Sequence, residues 1–497
     1  MFATRRIYLD LLATFVAVAT VATTQASAQH PQKPNVVFIL ADNVGYGDLG
    51  PYGGGELRGA PTPRIDQLAR EGLRLTQYLV EPGCTPSRAA LMTGQYSIRN
   101  GLSLIIVPDS LSTLPARAFT MGELFKSVGY ATAIFGKWHL GIAPESLPTA
   151  HGFDEFYGIP PDISWDSATY VDTIELTHSV STSRDVLLEK GPQIYEAVAG
   201  GPLRKVKPYT REVRAEIDNE LVAKSIDFMK RQKAAGKPFF LYLPFSMGHF
   251  PNLPSKQFAG KSRIGQFGDK LMEGDYHVGQ ILDALKELAV DDDTLVVFAS
   301  DNGPQGETSR EMGNQGTPDM GNSGPFRGEL GEATEGSIRT FCFARWPGKI
   351  KPGTSSYAMF SIMDFMPTFA QIIGAKMPTD RPIDGVDQTD FLLGKSEKSN
   401  REGFPVFVAD RLEAVKWRNW KVVFYDEQRD WWTPPAKLGV PKAFDLITDP
   451  KEEYPATALR NSWNAGPAMK IVTEFEQSLK KYPPIAPGTP DPYTPPK

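Results

Sequence analysis

The chain has 497 residues, 41% of them hydrophobic, with 58 acidic against 53 basic side chains and a formal charge of −5 at pH 7. That balance excludes a disordered chain and gives no electrostatic case for nucleic acid as a partner. Its two cysteines, Cys84 and Cys342, are too few for a disulfide framework.

The chain opens with the features of an export signal. Arg5 and Arg6 form a basic start, Leu11 to Ala22 an apolar stretch, and Ala26-Ser27-Ala28 a small-residue cleavage site. The apolar stretch is short against the roughly 20 residues of a membrane span. Cleavage after Ala28 is therefore expected in preference to an anchor, with export to a bacterial periplasm. No later run suggests stable membrane insertion.

From Asn35 onward apolar runs alternate with amphipathic ones. Asn35–Ala41, Tyr130–Phe135, Pro238–Leu243 and Thr294–Ala299 read as buried strands of a parallel sheet. Helices are predicted at Arg64–Glu71, Met121–Val128, Arg211–Gln232 and Lys270–Leu288, with Thr120 and Glu123 forming a capping box. This order implies a doubly wound, mostly parallel α/β sheet. Composition changes at the Pro- and Gly-punctuated stretch Thr379–Asp390. Beyond it, Pro405–Ala409, Ala414–Lys416, Trp420–Tyr425 and Lys442–Leu446 predict a small antiparallel sheet, then a helix at Ala468–Lys480 and a Pro-rich tail from Tyr482. The predicted organisation is a signal at 1–28, a catalytic α/β domain at 29–385 and a small C-terminal α+β domain at 386–497.

The segment Cys84-Thr85-Pro86-Ser87-Arg88 is the most informative. Pro86 suits the first position of a helix running through Ser87 to Met92, which places Cys84 near unpaired N–H groups and the positive end of the helix dipole. Further polar residues fall at the predicted strand ends, where open α/β sheets bind ligands. Asp42-Asn43 follows the first strand, Lys137-Trp138-His139 the second, His249 the third and Asp301-Asn302 the fourth. Each alone suits an ordinary turn; together with Cys84 they make a site. The oxygens of Asp42, Asn43, Asp301 and Asn302 suit Ca²⁺ or Mg²⁺, and no zinc-type spacing of His and Cys occurs.

The Cys-x-Pro-Ser-Arg segment resembles the signature of type I sulfatases, whose cysteine is oxidised to formylglycine. The likeness extends to Pro34–Asp42, Thr62–Ala69, Gly136–Gly141, Ser300–Gly303 and Ala443–Pro450. It implies an alkaline-phosphatase-like fold and arylsulfatase-like hydrolysis of sulfate monoesters. It further implies a maturation enzyme as partner and a sulfated small molecule or glycan as substrate. The roles it implies are metal binding by Asp42, Asn43, residue 84, Asp301 and Asn302, usually to calcium. Arg88 would steady the hydrated aldehyde, Lys137 and His139 contact sulfate, His249 serve the leaving group, and Asp301 deprotonate the attacking hydroxyl.

Two positions depart from the family pattern. Asn43 stands where sulfatases usually have a second Asp, and Leu330 aligns with a sulfate-binding Lys, with Arg327 or Arg310 as candidate replacements. Three alternatives follow from the sequence. A dinucleotide site at Gly45–Gly50 fits G-x-G-x-x-G, but Pro51 and Gly53 to Gly55 follow, so no helix starts there to receive a pyrophosphate. A phosphate or phosphonate ester hydrolase of the same fold would demand more cations. A non-catalytic sulfated-glycan binder would account for Asn43 and Leu330. Trp165, Trp431 and Trp432 are candidates for a ring-accepting mouth.

Overall fold

The computed structural model describes residues 33–106, 112–161, 191–306, 321–426, 435–456, 462–486 and 489. The signal segment, Arg310, Trp165, Trp431 and Trp432 lie outside these residues. Five strands form the parallel heart of the main sheet: β1 (Asn35–Ala41), β3 (Ala131–Lys137), β4 (Glu155–Ile159), β7 (Phe239–Pro244) and β8 (Thr294–Ser300). They lie in the order β8-β1-β7-β3-β4. Beyond β4 the strands β5 (Gln193–Val198) and β6 (Arg204–Pro208) add antiparallel. On the other side β9 (Arg339–Arg345) pairs antiparallel with both β8 and β2 (Leu73–Leu79). Two short strands, β10 (Thr354–Ser356) and β11 (Phe360–Ser361), run parallel to β2 and complete an eleven-stranded sheet.

Alternation along β1 explains the layering. Val36, Phe38 and Leu40 join one apolar cluster, whereas Val37, Ile39 and Ala41 join another, so both faces of the strand are covered. Buried residues of α2 (Cys84–Thr93) and α3 (Met121–Lys126) pack in the first cluster. Those of α1 (Pro63–Glu71), α4 (Arg211–Ala235) and α5 (Gly265–Glu287) pack in the second. Such two-sided burial is what near-continuous apolar strands require. The capping box forms as expected: Glu123 N–H donates to Thr120 Oγ1 at 3.3 Å, and Thr120 N–H to Glu123 Oε2 at 2.8 Å.

A second sheet of four antiparallel strands follows in the order β12 (Gly403–Val408), β13 (Arg411–Trp417), β14 (Trp420–Tyr425), β15 (Lys437–Asp445). A long helix, Ser462–Lys481, contributes Ala468 and Val472 to its apolar cluster. That helix starts six residues before the predicted Ala468, with Pro467 inside it. The helix that carries Cys84 also starts earlier than predicted. It begins at Cys84 rather than at Pro86, and the proline falls within the first turn, where its missing N–H costs no hydrogen bond.

Candidate active site

The sheet brings the predicted site residues to one end of its parallel strands. Asp42 and Asn43 leave β1, Lys137 closes β3, His249 follows β7, and Asp301 and Asn302 follow β8. These six side chains, with Cys84, Arg88 and His139, are all buried, and none is more than 5% exposed. Close strand contact is possible because Gly136 has no side chain: a Cβ there would sit 2.0 Å from the Pro244 carbonyl.

Cys84 occupies the first turn of α2, and its Sγ lies 3.4 Å from both Asp42 Oδ1 and Asn43 Oδ1. Ser87 fastens the turn, donating its N–H to the Gly83 carbonyl at 3.0 Å and its hydroxyl to the Glu81 carbonyl at 2.7 Å. Burial pushes the thiol well above its ordinary range, and Asp42 and Asp301 add to this against Lys137 and Arg88. An unmodified Cys84 is therefore a neutral thiol and a poor nucleophile.

Two cations tie the carboxylates together. Arg88 Nη2 lies 2.7 Å from Asp301 Oδ2 and 3.2 Å from Asp42 Oδ2, and Lys137 Nζ lies 2.8 Å from Asp42 Oδ2. Arg88 also donates from Nη1 to the Lys137 carbonyl at 3.1 Å, joining α2 to β3. Burial alone would raise the Asp42 carboxyl, but Lys137, His249 and Arg88 outweigh it and hold the group well below the usual range. Asp301 goes the other way. Burial and the charge on Asp42 push it up to about 6, against the pull of Arg88 and Lys137.

Asn43 and His139 both adopt left-handed backbone, with φ of 59° and 60°. Asn and His tolerate this region better than most residues. Asn43 N–H donates to Asp301 Oδ1 at 3.1 Å, and Asn302 Nδ2 donates to Asn43 Oδ1 at 2.6 Å. The His139 ring lies 2.7 Å through Nε2 from the Ile106 carbonyl; a carbonyl only accepts, so the proton is on Nε2. His249 Nδ1 likewise donates to the Phe250 carbonyl at 2.6 Å. A ring nitrogen of His249, an Asp42 carboxylate oxygen and Cys84 Sγ lie within 4.8 Å of one another.

The donor set fits a hard divalent cation. Asn302 Oδ1 is buried without a hydrogen-bond partner among the described residues, while Asp42 Oδ1 and Asn43 Oδ1 flank the sulfur. Amide and carboxylate oxygens are the ligands calcium and magnesium take. Asp42 and Asp301 also balance Arg88 and Lys137 in charge, so a divalent ion would leave the cluster net positive and suited to an anionic ester.

Leu330 is buried beside this cluster: its N–H donates to the Pro304 carbonyl at 2.9 Å, and Gly331 N–H to the Pro82 carbonyl at 2.8 Å. Arg327, one of the two candidate replacements for the lysine, lines a narrow cleft with Glu332, Glu413 and Glu452, against the small sheet.

Sequence reasoning missed the support for His249. Arg214 on α4, 2% exposed, donates from Nε to the Pro251 carbonyl at 2.9 Å and from Nη2 to the His249 carbonyl at 3.0 Å. One turn on, Asp218 accepts from Ser246 N–H at 3.0 Å and from the Ser246 hydroxyl at 2.8 Å. Lys270 stands 3.0 Å from Asp218 and helps to keep its carboxyl below the ordinary range despite burial. Two buried charges on one helix thus clamp both ends of the loop that carries His249. On paper they look like two charges of a solvated helix face.

Comparison with known proteins agrees with this geometry. The sulfatase family model matches residues 34–375. Steryl-sulfatase of Mus musculus is 32% identical, over 90% of this chain and 82% of its own length. Arylsulfatase A of Bos taurus is 36% identical, over 85% of this chain and 83% of its own. The crystal structure of PsFucS1 sulfatase from Pseudoalteromonas sp. superposes with a TM-score of 0.83 at 34% identity, covering 92% of each chain. A phosphonate monoester hydrolase of Agrobacterium radiobacter, 19% identical with a TM-score of 0.56, shares the fold alone. The chain belongs to the sulfatase family, has its alkaline-phosphatase-like fold, and is a sulfuric ester hydrolase.

Proposed function

We propose that the chain hydrolyses sulfate monoesters, in an arylsulfatase-like manner, with residue 84 as nucleophile after its oxidation from Cys to formylglycine. The observation that best supports this is the seating of Cys84: first turn of α2, 3.4 Å from two site oxygens, with Arg88 and Lys137 bracing the adjacent carboxylates. A hydrated aldehyde at this position carries two hydroxyls. The oxygen of one bonds to sulfur as the ester S–O bond breaks. Loss of the proton from the other re-forms the aldehyde and expels sulfate, so the balance consumes water and needs no redox reagent.

Asp301 takes the proton of the attacking hydroxyl, and Arg88 holds Asp301 and the helix that carries residue 84. Lys137 donates to the sulfuryl oxygens, and His139, whose Nε2 proton is held by the Ile106 carbonyl, contacts them through a second proton carried on Nδ1. His249 keeps its Nδ1 proton on the Phe250 carbonyl and gives a second proton, carried on Nε2, to the oxygen of the departing alcohol. Asp42, Asn43, residue 84, Asp301 and Asn302 would hold Ca²⁺, or Mg²⁺, which when bound offsets negative charge on the ester.

The mass of the tryptic peptide Leu75–Arg88 from native-host protein tests the reading. An aldehyde in place of the thiol is expected; a peptide that always carries the thiol in fully active enzyme would refute it. With Leu330 where the family has a lysine, turnover is expected to favour aryl sulfates over phosphate and phosphonate esters, whose higher charge wants more cations. The wider proposal is a signal at 1–28, a catalytic domain at 29–385, a small C-terminal domain at 386–497 and export to the periplasm. No helix among the described residues is long and apolar enough to cross a membrane. A formylglycine-generating enzyme would be the maturation partner, and the substrate a sulfated small molecule or glycan.

A further inference from the structure

The small sheet turns two lysines inward, away from its own helix. Val415 on β13 and Val422 on β14 join the apolar cluster under the helix Ser462–Lys481, so their neighbours Lys416 and Lys421 point to the opposite face. The two lysines also stand directly opposite each other across the strand pair. Both are 0% exposed, and like charges opposed in a sheet repel unless an anion answers them.

That anion is Glu335, which is fully buried as well. Its Oε2 lies 2.6 Å from Lys416 Nζ and its Oε1 3.5 Å from Lys421 Nζ. Glu452, beyond β15, pairs with Lys421 at 2.8 Å and accepts the Glu335 N–H at 2.8 Å. Arg339 Nη1 approaches Glu335 Oε2 from the main sheet at 3.6 Å. Removing one partner from such a buried cluster leaves another charge uncompensated, so each member holds the rest in place.

Glu335 opens the short helix Glu335–Ile338, and this turn rests on the catalytic cluster. The Ser337 carbonyl accepts the Gly303 N–H at 2.8 Å, and a Cβ on Gly303 would lie 2.0 Å from the Gly336 carbonyl oxygen. Gly303 follows Asn302, whose Nδ2 donates to the Gly303 carbonyl at 2.8 Å and to Asn43 Oδ1 at 2.6 Å. With Nδ2 held in this way, the direction of Asn302 Oδ1 depends on where Gly303 sits. At the other end of the turn the Ile338 carbonyl accepts from Val80 N–H at 2.9 Å, on the segment that leads into Cys84.

We propose that Lys416 and Lys421 are positioning residues for the reaction. From the small sheet they hold Glu335, which seats the turn 335–338 on Gly303 and so fixes Asn302 Oδ1 for the divalent cation. The inference rests on the proposed role of Asn302 as a metal ligand. It makes the small sheet a working part of the site, acting through Glu335.

The test measures calcium affinity of the chelator-treated full chain by calorimetry, at a temperature where circular dichroism shows each variant folded. Lys416→Met, and Lys416→Met combined with Glu335→Gln, are compared with the unsubstituted chain. The double variant removes an opposite pair, leaves Lys421 on Glu452, and serves where the single variant does not fold. Calcium Kd should rise about 10–100-fold, as for other residues that orient a metal ligand, with nitrophenyl sulfate turnover lost at low calcium and restored by excess. Asn302→Ala should weaken calcium binding at least as much. Folded lysine variants that bind calcium like the unsubstituted chain, while Asn302→Ala does not, would overturn the inference and leave the metal-site reading standing. Unchanged affinity in Asn302→Ala would remove that reading, and the inference with it. Coupling is reciprocal, so calcium should also slow amide hydrogen exchange of the unsubstituted chain in peptides covering 335–338 and 414–422. Exchange there that ignores calcium would overturn the proposal without any substitution.

Discussion

Arg214 is the position at which the structure makes its least obvious demand on the chemistry. Arg214→Met keeps the length of the side chain and removes both donors to the His249 and Pro251 carbonyls. Each loses a charged hydrogen bond and is left buried, at about 1–3 kcal/mol per group. The loop then keeps Ser246 on Asp218, Met247 on the Asp42 N–H and Phe250 on Gln305, but the carbonyl of His249 itself loses its anchor, and the ring loosens from the position it holds near Asp42 and residue 84. A general acid is worth about 10²–10⁴-fold, and its value grows as the leaving group becomes poorer. Alkyl or sugar sulfate hydrolysis should therefore fall by about 10²-fold or more, and nitrophenyl sulfate hydrolysis by less than about tenfold. Arg214→Lys, which reaches one carbonyl, should lie between. The assay is kcat/KM for both ester types, with circular dichroism to establish that the variants fold. Equal losses for the two leaving groups would remove Arg214 as a positioning residue for an acid. No loss in either would remove the clamp itself.

Cys84→Ala should abolish turnover and leave the fold intact, since Sγ makes only long contacts; thermal melting should register a cost of about 1 kcal/mol. Asn43→Asp should tighten calcium binding, measured by calorimetry on the Cys84→Ala protein, because it adds a charge to a hard-cation site. Stoichiometric zinc in active enzyme would contradict that oxygen-ligand assignment and point to Asp42, Cys84 and His249 instead. His277 should make stability acid-sensitive: burial, with help from Lys270, pulls its imidazole down to about 4 from 6.5. The unfolded chain takes up this proton as pH falls through 6.5 and the native state does so only near 4, so stability is full above the upper value and is lost across that window. The loss amounts to about 3 kcal/mol, and His277→Gln should flatten the denaturant midpoint between pH 7 and 4.5 by a comparable amount; an unchanged pH profile would refute it.

Strand β1 and the first site residues were legible because one physical pattern carries both. A run of apolar residues buried on two faces has no polar position until the chain leaves the sheet, so the first polar residues after it mark the strand end and the ligand crevice together. The runs ending at Ala41 and Ala299 show this most clearly, matching observed β1 and preceding Asp301 by two residues. Strand β2 escaped notice because Arg74 and Gln77 interrupt its apolar pattern; Arg74 sits at a half-buried position, and Gln77 is buried with its amide donated to the Tyr357 carbonyl at 2.9 Å. Strand β9 carries Arg at both ends, and each arginine is absorbed by tertiary partners. Arg214 and Asp218 were illegible for a related reason. Helix α4 has charges all along its length, and only the loop after β7, folding back upon it, makes these two buried.

Asn43 and Leu330 are best understood together. Asp42 and Asp301 already have Arg88 and Lys137 as counter-charges, each within 3.2 Å. A third carboxylate at residue 43 would sit where Asn43 now accepts the Asn302 amide and approaches Cys84, and it would need a further cation nearby. Leu330, which the sequence resemblance aligns with a lysine, is packed by its backbone against Pro304, with Gly331 against Pro82. Removing either charge alone would leave the other buried without its counterpart, whereas removing both leaves the cluster balanced. The two departures from the family pattern are thus one change in electrostatic terms. They leave a site with fewer fixed charges, in which a singly charged sulfate ester needs less compensation than a doubly charged phosphate.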